Sequence, residues 1–351
     1  MCNHSVSKTI QLCASAVKTF VVTDKILEIK DLRVQFPIFG GVFMRRQASV
    51  KAVDGISLDL HRGETLGLVG ESGCGKSTVG RAVVNILRAM SYRVDISGEI
   101  LYHGPTGTVD INSLNRSTMR PYRSDIQMIF QDPYSSLNPR MTVSQIIEEP
   151  LKIHTSQTAA ERKERVGWLL DKVGLSREQA SRYAHEFSGG QRQRIGIARA
   201  LTTNPKIIIA DEPVSALDVS IQAQVINLMQ DLQEEFNLSY IFIAHDLSVV
   251  RHISERIAVM YLGNLVEFGP AEKVYTTPMH PYSRALLSAV PRPVPGQAHE
   301  RIRLTGDVPN PIQKPSGCSF HTRCPMAENS CSENVPAFEF RNGRFVACPL
   351  V

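Results

Sequence analysis

Along residues 26–34 (Ile-Leu-Glu-Ile-Lys-Asp-Leu-Arg-Val) apolar and polar side chains roughly alternate, and residues 53–60 repeat the pattern. A period of two puts one face of a strand on a core and the other towards water, so both stretches predict half-buried strands, paired antiparallel. Between them Pro37, Gly40, Gly41, Arg45 and Arg46 break the pattern and predict a flexible hairpin connection. The pattern then changes to short unbroken apolar runs at residues 65–69, 126–130, 206–210 and 239–244. Such runs suit strands covered on both faces, as in a mostly parallel sheet between helices. After Lys76 the residues Val79, Ala82, Val83, Ile86, Leu87 and Met90 recur at three and four, the buried stripe of a helix.

Between residues 132 and 184 strand signals vanish, and residues 143–153 and 159–173 read as helices with charged faces. Gly263-Asn264 between apolar pairs predicts a hairpin turn. Pro278, Pro281, Pro291, Pro293 and Pro295 mark a stiff connection into a Cys-containing tail. The predicted fold is α/β: a mostly parallel sheet with an antiparallel β subdomain and a helical insertion, and then a small C-terminal extension. The expected organisation is a poorly ordered stretch over residues 1–24, a main α/β domain over 25–275 with its helical subdomain at about 132–190, and the extension over 276–351.

Composition changes this picture little. With 42% apolar and 21% charged residues the 351-residue chain is ordinary for a globular protein. A net charge of +5 suits phosphate binding but is too small to imply duplex nucleic acid, and no nucleic-acid partner is expected. No apolar run reaches the ~18 residues that span a bilayer. Four of the seven cysteines, Cys318, Cys324, Cys331 and Cys348, fall within the last 34 residues. Without a secretory signal, a metal or cluster site is a better reading than a disulfide framework.

The chemistry begins at Gly70-Glu71-Ser72-Gly73-Cys74-Gly75-Lys76-Ser77-Thr78, a phosphate-binding loop between a predicted strand and a predicted helix. Glycines let the backbone wrap phosphates, the helix N-terminus supplies oriented N–H groups, Lys76 reaches the β- and γ-phosphates, and Ser77 can ligate Mg²⁺. Asp211 and Glu212 close a buried apolar strand, where an α/β sheet places its ligands. Asp211 is suited to hold Mg²⁺ and Glu212 to act as general base, because adjacent strand residues point to opposite sides.

Between these two stations lies Phe187-Ser188-Gly189-Gly190-Gln191, which resembles the signature motif of ABC ATPases with Phe in place of the commoner Leu. Ser188 would cap a helix beginning near Gln191, and Gly189 and Gly190 leave room for a second nucleotide's γ-phosphate. The resemblance implies that Ser188, Gly189, Gly190 and Gln191 face the phosphate loop of a partner ATPase subunit, with two nucleotides sandwiched at the interface. It further implies Gln131 as the Q-loop sensor of Mg²⁺ and water, Ser215-Ala216-Leu217-Asp218 as the D-loop, and His245 as the switch histidine at the γ-phosphate. Phe36 stands where the family's aromatic residue stacks on adenine. The stretch from Thr277 to Tyr282 and the Gly317–Pro325 segment resemble the C-terminal extension of oligopeptide and dipeptide importer ATPases, and Gln127 to Pro133 and Gln191 to Arg194 resemble the second, F-type, subunit of that group.

The implied cofactors are therefore ATP and Mg²⁺. The implied partners are a second, related ABC ATPase subunit, two transmembrane permease subunits and a solute-binding protein, with the chain peripheral on the cytoplasmic face of the bacterial inner membrane. Peptides lead as the solute, with nickel and glutathione as alternatives. A soluble ABC ATPase acting on DNA or ribosomes and an exporter motor are the competing functions.

The four tail thiols are separated by five, six and sixteen residues. Four thiolates suit an iron–sulfur cluster or a structural zinc, and zinc sites usually show tighter Cys pairs. The resemblance implies a [4Fe–4S] cluster, with Zn²⁺ as the alternative and a structural role that the ATP site is expected to survive losing.

Overall fold

The computed structural model describes residues 24–40, 43, 45–91, 93–290 and 301–351. The expected N-terminal extension up to residue 23, Gly41, and Pro291, Pro293 and Pro295 lie outside the described residues. An antiparallel sheet contains β1 (Lys25–Gly40), β2 (Arg45–His61), β4 (Asp95–Gly104) and β5 (Gly107–Asp110) in the order β2-β1-β4-β5. The strands β1 and β2 run further than the alternation predicts, and Pro37 pairs with Ser49 inside the ladder. The pairing of β1 with β4 ends at Gln35, so the missing N–H of Pro37 falls where β1 is hydrogen-bonded on one side only. Neither β4 nor β5 was visible in the apolar pattern, since Asp95–Gly104 carries its polar residues unevenly around Gly98.

Among the described residues the larger sheet has eight strands in the order β11-β12-β10-β9-β3-β8-β7-β6. Its parallel centre is β3 (Thr65–Val69), β6 (Ile126–Ile129), β7 (Ile207–Asp211), β8 (Ser239–Ala244) and β9 (Arg256–Tyr261). The unbroken apolar runs of these strands have a direct cause. Ile207, Ile209, Ile241 and Ile243 enter one core, shared with the antiparallel sheet, while Ile208, Ala210, Tyr240 and Phe242 enter another, shared with the helical segment. Each strand is buried on both faces, so it has no polar side to alternate.

Helices Val143–His154 and Ala159–Lys172 form as expected, each opened by a capping box, at Thr142 with Gln145 and at Thr158 with Glu161. The apolar stripe after Lys76 divides into two helices, Lys76–Val83 and Leu87–Met90. Asn85 breaks it in a left-handed conformation (φ 52°) and donates from Nδ2 to the carbonyls of Ile111 and Leu114, both at 3.0 Å. The hairpin after β9 turns at Leu262-Gly263, both at positive φ, and Asn264 already pairs with Tyr261 in β10 (Asn264–Pro270). The turn is thus one residue earlier than Gly263-Asn264.

The tail joins the larger sheet. Strands β12 (Arg344–Val346) and β11 (Glu339–Arg341) add to β10, and Phe320 and Tyr282 enter the core shared with the helical segment. The junction is anchored by Glu267 of β10, fully buried, whose carboxylate accepts from the backbone N–H of Met279 and His280 and from Arg344 Nη1 at 2.9, 3.0 and 3.2 Å. His280 caps the helix Pro281–Ser288, its Nδ1 accepting from Tyr282 N–H at 3.1 Å, and burial pushes its pKa down to about 3, so it acts as a neutral acceptor. Its place in the fold is that of a buried helix cap. Replacing Glu267 alone with Leu leaves Arg344 as an uncompensated buried cation, and urea unfolding should show a loss of about 3–5 kcal/mol. The double variant Glu267→Leu/Arg344→Met should lose less; a single variant as stable as the parent would show that this pair does not hold the junction.

Candidate active site

The parallel order of β6, β7, β3 and β8 brings their carboxyl ends to one edge of the sheet, where Gly70, Gln131, Asp211 and His245 emerge. After β3 the chain turns through Gly70, Gly73 and Gly75, all at positive φ, into the helix Lys76–Val83. A Cβ at Gly75 would stand 2.1 Å from the Ala52 carbonyl oxygen, so any side chain there would push the loop off β2. The loop is pinned from that side by Gly263 N–H donating to the Cys74 carbonyl at 2.9 Å. Cys74 is buried, which raises its thiol pKa, and it packs with the core shared by the two sheets. Ser72 and Gly73 are exposed at the rim, and Thr78 lies in the first turn of the helix.

Lys76 Nζ donates to the carbonyls of Gly70 and Glu71 at 2.7 and 3.0 Å. The buried ammonium thereby lies against the concave side of the loop. Ser77 Oγ donates to Asp211 Oδ1 at 2.7 Å. Asp211 is 1% exposed; among the described residues its Oδ2 accepts no hydrogen bond and has only Arg81 Nη2 at 3.8 Å. Burial accordingly raises its pKa. A desolvated carboxylate oxygen lacking a donor, beside a serine hydroxyl, is a donor set that fits a hard divalent cation such as Mg²⁺.

Glu212 lies beyond the end of β7 in a left-handed conformation (φ 47°), with its N–H held by the Ile243 carbonyl at 2.9 Å. The two acids diverge because the chain leaves the strand between them, which strand alternation alone did not specify. Glu212 Oε2 accepts from Gln131 Nε2 at 2.9 Å and stands 3.3 Å from His245 Nδ1. A non-glycine residue held at positive φ among three such partners is the strained geometry that functional sites retain. Gln131 and His245 are both exposed, so this carboxylate is reached from solvent.

Ser188 caps the helix Gly189–Leu201, which starts two residues before the expected position. Its Oγ accepts from Gln191 N–H at 3.4 Å, and the Gln191 side chain accepts from Ser188 N–H at 3.1 Å. A Cβ at Gly190 would meet Ile221 Cγ2 at 2.6 Å, and Gly189 lies against Leu217, so the signature turn packs on the segment Ser215-Ala216-Leu217-Asp218. Ser215 N–H and Oγ donate to the Glu212 carbonyl at 3.3 and 3.1 Å, tying that segment to the site, while Ala216, Asp218 and Val219 are exposed beyond it. Among the described residues no hydrogen bond joins Ser188, Gly189, Gly190 or Gln191 to the phosphate loop of the same chain. Phe36 pairs with Val50 in the ladder and is partly buried against the core shared by the two sheets.

The tail supplies two contacts that the sequence did not reveal. Arg323 makes a two-pronged ion pair with Glu71, and Tyr282 Oη accepts from Glu71 N–H at 2.8 Å. Cys318, Cys324, Cys331 and Cys348 are free thiols. Among the described residues no group of three or more His, Cys, Asp or Glu side chains could hold a single metal ion, which leaves the expected iron–sulfur or zinc site without support from this geometry. No helix among the described residues is long and apolar enough to cross a membrane.

Comparison with known proteins agrees with this geometry. Residues 53–215 match the family model described as ABC transporter, and residues 266–331 match that of the oligopeptide/dipeptide transporter, C-terminal region. The chain is 55% identical over 93% of its length to the oligopeptide transport ATP-binding protein AppF of Bacillus subtilis (strain 168), covering 98% of that protein. It is 52% identical over 92% of its length to OppF of Escherichia coli (strain K12), covering 95% of it. Among solved structures it resembles cbiO1 of Clostridium perfringens, part of the ABC transporter complex cbiONQ, at a TM-score of 0.59 and 26% identity over 73% of this chain and 92% of that one. It also resembles an ATP-binding cassette solved as a dimer in a post-hydrolysis state with ADP and Pi, at a TM-score of 0.58 and 28% identity over 70% and 98% of the two chains. With relatives of this identity along nearly its whole length, the chain belongs to the ABC transporter family, among the oligopeptide and dipeptide transport ATP-binding proteins.

Proposed function

We propose that this chain is the ATP-hydrolysing subunit that powers import of di- or oligopeptides through an ABC transporter. The observation that carries the catalytic part is the convergence of Gln131 and His245 on one oxygen of Glu212, beside the Ser77–Asp211 bond. The relatives' names, which specify oligopeptide or dipeptide transport, carry the substrate class.

In this reading the backbone N–H groups of residues 70–78 and the helix N-terminus bind the polyphosphate, and Lys76 turns from its carbonyl partners to the β- and γ-phosphates. Phe36 stacks on the adenine. Ser77, Asp211 and Gln131 would hold Mg²⁺, which when bound neutralises phosphate charge. Glu212 orients a water and takes its proton as the water oxygen bonds to the γ-phosphorus. The bond from that phosphorus to the β–γ bridging oxygen breaks, giving ADP and phosphate. His245 and Lys76 stabilise the negative charge that develops on the transferring group. Ser188, Gly189, Gly190 and Gln191 serve the nucleotide of a second ATPase subunit, and Ser215, Ala216, Leu217 and Asp218 line that interface. The exposure of Ala216, Asp218 and Val219, the last at 81%, supports the interface.

The remaining partners are two permease subunits and a solute-binding protein, with the chain docked on the cytoplasmic face of the inner membrane. Residues 25–275 form the ATPase domain and 276–351 the importer-type extension. A second reading concerns the tail thiols. Burial raises the pKa values of Cys318, Cys324 and Cys348, and the proximity of other tail thiols raises each further. Four thiols within one short segment are the complement of a [4Fe–4S] cluster, with Zn²⁺ as the alternative.

Glu212→Gln should keep Mg·ATP binding and lower turnover by roughly 10²- to 10⁴-fold, the range for a lost general base. Near-normal hydrolysis, measured with the sister site disabled, would remove Glu212 from that role. Protein purified without oxygen should be brown and carry about four irons per chain, the complement of a four-thiolate cubane. Colourless protein with stoichiometric zinc or no metal would refute the cluster and leave the ATPase reading untouched.

A further inference from the structure

Glu71 is the only acidic residue in the phosphate loop, and its side chain points away from the concave side towards the C-terminal extension. Arg323 Nη1 and Nη2 donate to its two carboxylate oxygens at 2.8 and 3.2 Å, the fork geometry of a strong charge-assisted pair. The guanidinium is 9% exposed and lies 5.9 Å from the centre of the Tyr261 ring. Tyr261, Tyr282 and Phe320 pack together with ring centres 4.7–5.3 Å apart, and the backbone N–H of Arg323 donates to the Phe320 carbonyl at 3.0 Å. Arg323 is therefore fixed by an aromatic cluster contributed jointly by β9 and the extension. Glu71 is held at two points, its carboxylate by Arg323 and its N–H by Tyr282.

A carboxylate at this position has an electrostatic consequence for any polyanion that the loop wraps. Unpaired, it would repel a phosphate bound by the loop, and in a partly buried setting that repulsion is weakly screened. We infer that Arg323 is a positioning residue for nucleotide binding, which neutralises Glu71 and holds the phosphate loop open to phosphates, so that the extension sets the ATP affinity of the cassette. The inference rests on the reading of residues 70–78 as the ATP site. It adds a direct dependence on the extension to the expectation that the ATP site survives loss of the tail's metal site.

The test is Mg·ATP affinity by calorimetry and steady-state hydrolysis in the assembled transporter, for the parent, Arg323→Met, Arg323→Lys and the double variant Glu71→Gln/Arg323→Met. Arg323→Met should raise the Kd and KM for ATP by about 5-fold or more, the lower end of typical coupling between sites, with kcat little changed. Arg323→Lys should recover part of the loss. The double variant, with no carboxylate left to neutralise, should return to within about 2-fold of the parent. An unfolded extension could not produce that recovery, because the double variant also lacks the Arg323 anchor. An unchanged KM in Arg323→Met, or a double variant as weak as the single, would overturn the inference. A parent protein that fails to bind Mg·ATP would instead overturn the ATP-site reading itself.

Discussion

A carboxylate that is 1% exposed at the end of a central strand must be compensated, and the site is arranged around that requirement. Among the described residues Asp211 receives one side-chain hydrogen bond, from Ser77, and leaves its second oxygen buried with no donor. Burial of such a group is tolerated when a helix N-terminus and a cation stand near it. The Ser77–Asp211 bond also joins the first turn after the glycine-rich loop directly to the strand that leads into Glu212. A parallel sheet makes this possible, since neighbouring strands end on the same edge.

The site is held from three directions. From the antiparallel sheet, the Ala52 carbonyl closes on Gly75. From the hairpin after β9, Gly263 holds the Cys74 carbonyl. From the extension, Arg323 and Tyr282 hold Glu71. The extension can do this because it is built into the larger sheet through β12 and anchored by the buried Glu267–Arg344 pair.

Much of the candidate site was legible in the sequence because its motifs are local. Gly70 to Thr78, Asp211, Glu212 and Ser188 to Gln191 are short contiguous motifs whose residue types follow from what phosphates, cations and helix N-termini require. The central strands were legible because residues such as Ile207 to Ala210 are buried on both faces. What stayed hidden is non-local. Asn85 breaks a helix by bonding to carbonyls 26 and 29 residues away, and Arg323 reaches Glu71 across 252 residues. Neither leaves a periodic trace. Nor does a local pattern mark Phe320, which completes a core that other segments supply.

The central claim is that one chain holds half of a hydrolytic site, with the phosphate loop on one surface and the signature turn of a second subunit completing it. The most direct measurement is the hydrolysis rate per chain of the isolated protein against its concentration, alongside its sedimentation state and with the sister ATPase subunit added. The expected result is Mg·ATP binding at every concentration, with turnover per chain rising from near zero as chains associate or as the sister subunit is supplied. A constant turnover per chain, persisting at dilutions where sedimentation shows only monomers, would contradict it.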